Sequence, residues 1–348
     1  MEEVLAPGVR RMANELAAAL AAGPVAVACE ASAEGVLSAI GVIYLAHAAS
    51  APVRVLRAER AQARLGEGLV ELEPDVALAE RVHAGMLRAA VGEKGRERHN
   101  PVVGGRRYLE LANRRAVPLA CACDHEDMPQ RVFAYARALF ARGQGATQAH
   151  GAEAVAAFRD LVSFADVELE HARQFVRFSR MADGSYAASF RPQANVVPFV
   201  LPYFAERMGE ERFCLVDPLH CVAALYDGTA VRAAVQVPEA LVPWERALDA
   251  EGNARRAAAC GQRAVVRLEP AVAQALAERR DLAEDEPYVR RLWKRFYDAM
   301  ALPGRGPEQR GYDLRKHWEP VRFWGGLTEL DPRNDHAEVP VPARYQGS

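Results

Sequence analysis

The side chains of this chain that can move a proton or hold a charge fall into a few short clusters. Glu168 and His171 stand three positions apart, which on a helix places them one turn apart on one face. A carboxylate beside an imidazole makes an acid–base couple near neutral pH, and the same spacing also serves a plain ion pair. Asp217 closes the apolar run FCLVD, and Glu34 sits just inside a helix start. These four, Glu34, Glu168, His171 and Asp217, are the candidate catalytic residues. Cys121, Cys123, His125, Glu126 and Asp127 are all residue types that ligate zinc or iron. The C-x-C spacing is not the usual C-x2-C, and no second ligand pair follows, so the expectation is no metal and no cofactor in this chain. Cys214 and Cys221, with His220, lie in strand-like runs where Cys acts as a small apolar residue.

A second chemistry is suggested near the C-terminus. Arg315, Lys316, His317 and Arg322 stand among Trp318, Phe323 and Trp324. Such a surface suits a nucleotide or single strand, through phosphate contacts and base–aromatic stacking. The competing reading puts the aromatic residues in the core. The stretch 92–118 is also rich in Arg, but its glutamates suit an ordinary solvated segment as well as a phosphate-contacting one.

The elements that must position these residues can be traced from periodicity. Residues 8–22 read as an amphipathic helix, 25–29 (VAVAC) as a buried strand, and a helix follows from Ser32, which can cap it. Strand VRVLR after Pro52 completes a small βαβ unit with parallel strands. Its strand-to-helix turn gathers backbone N–H groups and a helix dipole, an anion site in one reading and a capped helix start in the other. It is neither a P-loop nor a GxGxxG fingerprint. Helices are expected over 75–91, with Val76, Ala79, Val82, Met86 and Leu87 on one face, and over 128–142, with Asp127 as cap.

The centre of the chain, Phe175 to Val237, reads as ββαββ. Two alternating runs join at Asp183-Gly184, a helix opens at Asn195, and two strands turn at Asp227-Gly228. The fold class expected is α+β: an antiparallel ββαββ sheet with surrounding helices, plus the small N-terminal βαβ-like unit. From Glu284 a helix is expected with Leu292, Trp293, Phe296 and Met300 as its apolar stripe and Arg290, Arg291, Lys294 and Arg295 on other faces. The organisation expected is an α/β region over 1–118, a helical segment leading into the ββαββ unit over 119–238, a helical region ending in aromatic and basic residues over 239–330, and a polar, mobile tail over 331–348.

Bulk properties narrow the functions. The 348 residues suffice for two or three domains, and half of them are hydrophobic. A net charge of −2 gives no whole-molecule attraction to nucleic acid or membrane, so such binding needs a local patch. The longest apolar run, Val36 to Ala49, falls short of the ~20 residues of a membrane span, and no signal peptide is evident. Six cysteines at irregular spacing suit reduced thiols in the cytoplasm.

Three blocks carry a family resemblance. The first is Ser32, Glu34, Gly35 and Leu37 in the first strand–helix turn. The second is Glu168, Phe175-Val176-Arg177-Phe178, Pro192, the run VVPFVLPYFAER that includes Arg207, and the strand ending at Asp217. The third is Pro320, Arg322, Phe323, Trp324, Leu327 and Glu329. In these the chain resembles a bacterial family of uncharacterised DNA-metabolism proteins, linked to a radical-SAM protein of DNA modification or repair and sometimes fused to a uracil-DNA glycosylase domain. It departs from that pattern where Glu30 replaces an Asp, where two aromatic residues of the opening motif are missing, and where an Asn-Pro segment before the last block is not clear.

The resemblance implies a partner or accessory protein of a radical-SAM enzyme, with the iron–sulfur cluster and S-adenosylmethionine in the partner. No C-x3-C-x2-C set occurs here. The substrate implied is DNA or a nucleotide, bound by candidates Ser32, Gly35, Arg177, Arg207, Arg315, Lys316, His317, Arg322, Trp324 and Glu329. Two alternatives remain open: an enzyme acting on a nucleobase or glycosidic bond by carboxylate and His catalysis, and a partner in a small-molecule or peptide modification pathway. No membrane partner is expected.

Overall fold

The computed structural model describes residues 6–91, 114–149, 151–229, 231–232, 266–278, 281–299, 320–330 and 341–342. The protein is α+β, with one small parallel sheet and one mixed sheet among helices. The described residues form two compact units, one up to Asp166 and one from Val167.

The first unit opens with α1 (Pro7–Ala22), whose Val9, Met12 and Leu16 face inward. Strands β1 (Val25–Cys29), β2 (Val53–Arg57) and β3 (Gly68–Leu72) form a parallel sheet in the order β2-β1-β3. Every β1 residue is buried, as expected for a central parallel strand with helices against it. The parallel βαβ expectation holds, with Val25 opposite Val53. Strand β3 adds an edge whose mostly exposed residues give no alternating apolar signal. Helix α2 (Ala33–Leu45) is almost wholly buried and starts on the Ser32 cap. Helix α3 (Val76–Val91) starts where Asp75 Oδ1 accepts from Leu78 N (2.8 Å). It buries Leu78, Ala79, Met86 and Ala90, while Val76, expected on the apolar face, is exposed.

Residues 114–121 are helical, and the rest of the 92–118 stretch, up to 113, lies outside the described residues. Helix α4 (Met128–Arg142) has the expected bounds but not the expected cap. Asp127 makes no side-chain cap bond; its own N–H donates to His125 Nδ1 (3.2 Å), and Pro129 lies in the first turn. Helices α5 (Gln144–Gln148) and α6 (Glu153–Phe175) follow, and the last turns of α6 belong to the second unit.

The second unit is built on β4 (Ser179–Arg180), β5 (Tyr186–Ser189), β6 (Phe213–Asp217), β7 (Val222–Tyr226), β8 (Val231–Arg232) and β9 (Val266–Arg267). The path is β4-β5-β6-β7-β8, and β9 also pairs with β7. The ββαββ order is present, but the sheet is mixed rather than antiparallel throughout. Helix α7 (Val197–Met208) carries the chain back before β6 begins, so β5 and β6 run parallel. Asn195 does not cap α7. The cap position is Val196, and Pro198 occupies the first turn, where a missing N–H costs little.

Phe178 packs edge-on to Phe204 and Phe213, with ring centres 5.1 and 5.2 Å away. The alternate residues of the strands, Cys214, Val216, Ala223 and Leu225, form a second cluster with Leu268 and Ala273 of α8 (Pro270–Ala277). At the second hairpin Gly228 has φ 91°, and a Cβ there would lie 2.3 Å from the Glu210 carbonyl oxygen.

Helix α9 (Glu286–Ala299) forms as expected, but it is turned inside out. Leu292, Trp293 and Phe296 are 44, 40 and 55 % exposed, whereas Glu286 and Arg291 are buried. Met300 lies outside the described residues. Polar contacts fix this orientation. Glu286 accepts from Arg180 N (3.1 Å) and Arg290 Nε (3.0 Å), and Arg290 Nη2 donates to Ser179 Oγ (2.6 Å). The helix is thus pinned to β4 by charge, and its apolar stripe is left outward. Short 3-10 segments at Val321–Gly326 and Thr328–Leu330 complete the elements described in this unit.

Candidate functional site

Four residues from distant blocks of the sequence meet in the second unit as two carboxylate–guanidinium pairs. Glu168, on the last turns of α6, is 2 % exposed. Its Oε1 accepts from Arg322 Nη2 and its Oε2 from the backbone N–H of Gln193 (2.7 Å). Glu329, also buried, accepts from Arg177 Nη2 at Oε1 (2.8 Å) and from the Trp293 indole N–H at Oε2 (3.0 Å). Burying a carboxylate without compensation costs several kcal/mol, so each requires such donors. The 3-10 segments place Arg322 and Glu329, while the last turns of α6 place Glu168 and Arg177 follows two residues past the helix end.

Aromatic rings surround this charge centre. Phe323 lies 5.9 Å from Phe175 and 6.2 Å from Phe190, and the Arg322 guanidinium sits 5.2 Å above its ring. Arg177 sits 6.0 Å from the centre of the Trp293 ring while also donating to the Gln174 carbonyl (2.7 Å).

The geometry separates the candidates by what their side chains already do. His171 Nδ1 is 3.6 Å from Glu168 Oε1, beyond hydrogen-bond reach, and the carboxylate is held by Arg322 instead. His171 packs edge-on to Phe323, with ring centres 6.1 Å apart. Arg207 is exposed and donates to Tyr203 Oη (3.1 Å), apart from both pairs. Arg315, Lys316 and His317 lie outside the described residues, as does the side chain of Trp324.

The family model that matches this chain spans residues 126–329 and is described as a domain of unknown function, DUF4130. That is more than half of the sequence. The chain belongs to the DUF4130 family. No curated protein and no solved structure matches it. The DUF4130 span takes in Glu168, Arg177, Asp217, Arg322 and Glu329, and so both pairs. The strand–helix turn at Ser32 lies ahead of it.

In that turn, in the first unit, Ser32 Oγ accepts from Gly35 N (3.1 Å). A Cβ on Gly35 would lie 2.3 Å from the Glu30 carbonyl oxygen. Ser32 and Gly35 are therefore both engaged in making the turn, and Glu34 occupies the acidic first-turn position of α2. Cys29, at the end of β1, has its thiol pushed up to about 12, chiefly by burial and then by Glu59 and Glu30, so it is not a thiolate nucleophile.

Asp217 lies at the end of β6, where the DUF4130 sheet turns into β7, and is fully buried. Its Oδ1 accepts from Leu219 N (3.0 Å) and His220 N (3.3 Å), and Oδ2 is 2.5 Å from His220 Nδ1. Burial pushes its carboxyl above the usual range, against the hydrogen bond and charge of His220. The sequence makes Asp217 a candidate and sets His220 with Cys221 in a strand-like run, whereas both lie in the turn between β6 and β7, and Asp-x-x-His repeats the Glu-x-x-His spacing of Glu168 and His171. The sequence also carries no sign of Gln193, which contributes only backbone.

Cys29, Cys121, Cys123, Cys214 and Cys221 are free thiols, and Cys123 Sγ donates to the Leu161 carbonyl (3.0 Å). Among the described residues no group of three or more His, Cys, Asp or Glu side chains is placed to hold a metal ion. No described helix is long and apolar enough to cross a membrane.

Proposed function

We propose that this DUF4130 protein is an accessory partner of a radical-SAM enzyme, handling a DNA or nucleotide substrate and lending no acid–base chemistry of its own. One observation carries the reading. Two glutamates of the family-like motif, Glu168 and Glu329, are both spent on fixing guanidinium groups. A carboxylate so held is a poor proton shuttle but an effective means of orienting an arginine. The motif then builds a rigid scaffold of charge-paired arginines and aromatic rings, suited to binding. The identity of the partner rests on the sequence resemblance, and the iron–sulfur cluster and S-adenosylmethionine belong to that partner. Five free thiols suit a reducing cytoplasm.

The test is anaerobic co-purification of the tagged protein with the radical-SAM protein of its own host, at native expression. A stoichiometric complex that survives Glu168→Gln supports the accessory reading. Recovery of the tagged chain alone, with the radical-SAM protein present in the extract, counts against it. If the complex forms but modifies a peptide or small molecule rather than nucleic acid, the substrate assignment falls and the partnership stands.

A second reading is favoured by Asp217 and His220. A buried carboxylate on Nδ1 orients an imidazole as general bases require. In that case the protein itself acts on a nucleobase or glycosidic bond, and Asp217→Asn abolishes base release while the fold persists. Absence of base release by the wild type from damaged or uracil-containing DNA rejects it.

A further inference from the structure

Among the described residues, five carboxylates and one guanidinium are buried. The carboxylates are all compensated. Glu168, Glu329, Asp217 and Glu286 accept hydrogen bonds, and Asp285 lies 3.5 Å from the Arg180 guanidinium. The guanidinium is that of Arg291, on the inward face of α9, and it is 8 % exposed. Its Nη2 is closed off with no hydrogen-bond partner, and among the described residues no carboxylate, carbonyl or ring engages the rest of the group. The other charges of that face are matched: Arg290 with Glu286 (3.0 Å) and Lys294 with Asp298 (2.6 Å). Arg291 is the surplus. A buried cation with no counter-ion is strongly destabilising, and a fold that keeps one has a use for it.

We infer that Arg291 is the binding residue for a singly charged oxyanion, the chemistry shared by a carboxylate and a phosphodiester. Both offer two oxygens at the spacing of the guanidinium fork, and arginine pairs with each of them bidentately. Arg54 shows that grip in this chain: its Nε and Nη2 hold the two carboxylate oxygens of Glu67 at 2.8 and 2.5 Å. Nη2 belongs to both forks of a guanidinium, with Nε on one side and with Nη1 on the other. An oxyanion seated in either fork therefore satisfies the atom that is left without a partner. A water molecule there would supply the hydrogen bond and leave the charge unbalanced. The charge count sets the valence. With the Asp285–Arg180, Glu286–Arg290 and Lys294–Asp298 pairs complete, one positive charge remains, so a single negative charge balances the face. The inference stands apart from the nucleic-acid reading, because a carboxylate serves as well as a phosphodiester.

The experiment compares thermal midpoints of the full chain, wild type and Arg291→Met, in sodium chloride, sodium acetate and sodium dimethyl phosphate at matched ionic strength. Methionine keeps an unbranched stem in place and removes the charge. In chloride, Arg291→Met is expected to melt about 3 °C above wild type, because an unmatched buried charge has gone. Acetate or dimethyl phosphate is expected to raise the wild-type midpoint further than that of Arg291→Met, since general salt effects act on both proteins alike. The anion with the larger differential shift identifies the source, carboxylate or phosphodiester. Arg291→Lys keeps the charge without the fork and is expected to lose most of the shift. Four results overturn the inference. Arg291→Met melting below wild type in chloride, or failing to fold, shows that the guanidinium is already matched within the fold. Equal shifts of wild type and Arg291→Met place the ion elsewhere. A full shift in Arg291→Lys removes the fork from the recognition. No shift of wild type in either oxyanion leaves Arg291 without a ligand of this class.

Discussion

The turn at Ser32 in the first unit and the charge centre at Glu168 in the second both carry residues of the same family-like pattern, yet they use them for different physics. In the turn, matched residues solve a backbone problem: Ser32 satisfies the Gly35 N–H, and Gly35 lets the helix approach the Glu30 carbonyl. In the charge centre they solve a desolvation problem, and they do so in pairs across 154 and 152 positions of sequence, Glu168 with Arg322 and Arg177 with Glu329. A backbone solution depends on each residue alone. A paired solution fails when either partner is removed, since the other is left buried and uncompensated. The two regions should therefore differ in how substitutions combine.

The largest effect is expected from the charge centre. Arg322→Ala should cost about 3 kcal/mol, the low end for breaking a buried pair, because the guanidinium is partly solvated while Glu168 is not. Urea denaturation of Arg322→Ala, Glu168→Gln and the double variant provides the check. The double variant is expected to lose much less than the sum of the singles. Additivity would mean that the pair is not the unit of stability, and the contrast with the turn would collapse.

Gly35→Ala comes next, at about 2 kcal/mol, because the added Cβ meets a backbone oxygen that cannot swing away. This loss should be the same with or without the Arg322 substitution. Thermal melts of both backgrounds would expose any coupling between turn and centre.

The two units should also answer acid differently. In the first, Arg54 grips Glu67 through Nε (2.8 Å) and Nη2 (2.5 Å), and that hydrogen-bonded pairing holds its carboxyl down at about 2 from a usual 4.5. A depressed folded value means that the stabilisation is whole above 4.5 and lost as the pH falls toward 2. Asp217 in the second unit is raised, mainly by burial, so its sign is opposite: its ionisation opposes folding as the pH rises above the ordinary carboxylate range. Glu67→Gln should cost about 2 kcal/mol at neutral pH and flatten the acid limb of stability. Asp217→Asn should steepen that limb. Denaturant midpoints measured from about pH 2 up to neutral pH decide between these outcomes.

These contrasts also explain what was legible in the sequence. Local rules found the Ser32 cap, the bounds of α4 and the β1–α2–β2 crossover, because each depends on neighbours a few residues away. The Asp127 and Asn195 caps fail for a local reason too: Pro129 and Pro198 sit in the first turns of those helices, where a proline leaves one N–H fewer to cap. The parallel pairing of β5 and β6 required knowing where α7 returns the chain. Periodicity revealed that α9 has an apolar stripe but could not say which face turns inward, since Glu286 is fixed by Arg180, a residue of β4 distant in sequence. Glu168 and Arg177 stood out by motif. Their partners, Arg322 and Glu329, stood in a different block, and nothing in either block alone announces the pairing.

The smallest expected effect bears most directly on what the first unit's turn is for. Ser32→Ala removes one hydrogen bond to Gly35 N and should cost about 1 kcal/mol of stability, the ordinary value of a helix cap. If the turn's role is confined to folding, Ser32→Asp should restore most of that stability, since Asp caps as well and suits the positive end of α2. It should also leave nucleotide affinity as it is in the wild type. If the turn instead receives a phosphate, the same Asp variant keeps its stability but loses affinity, because a carboxylate now stands where the anion must enter. Thermal midpoint and equilibrium binding of the Ala and Asp variants, measured side by side, thus separate a cap from an anion site. Parallel recovery of both properties would assign the turn wholly to architecture.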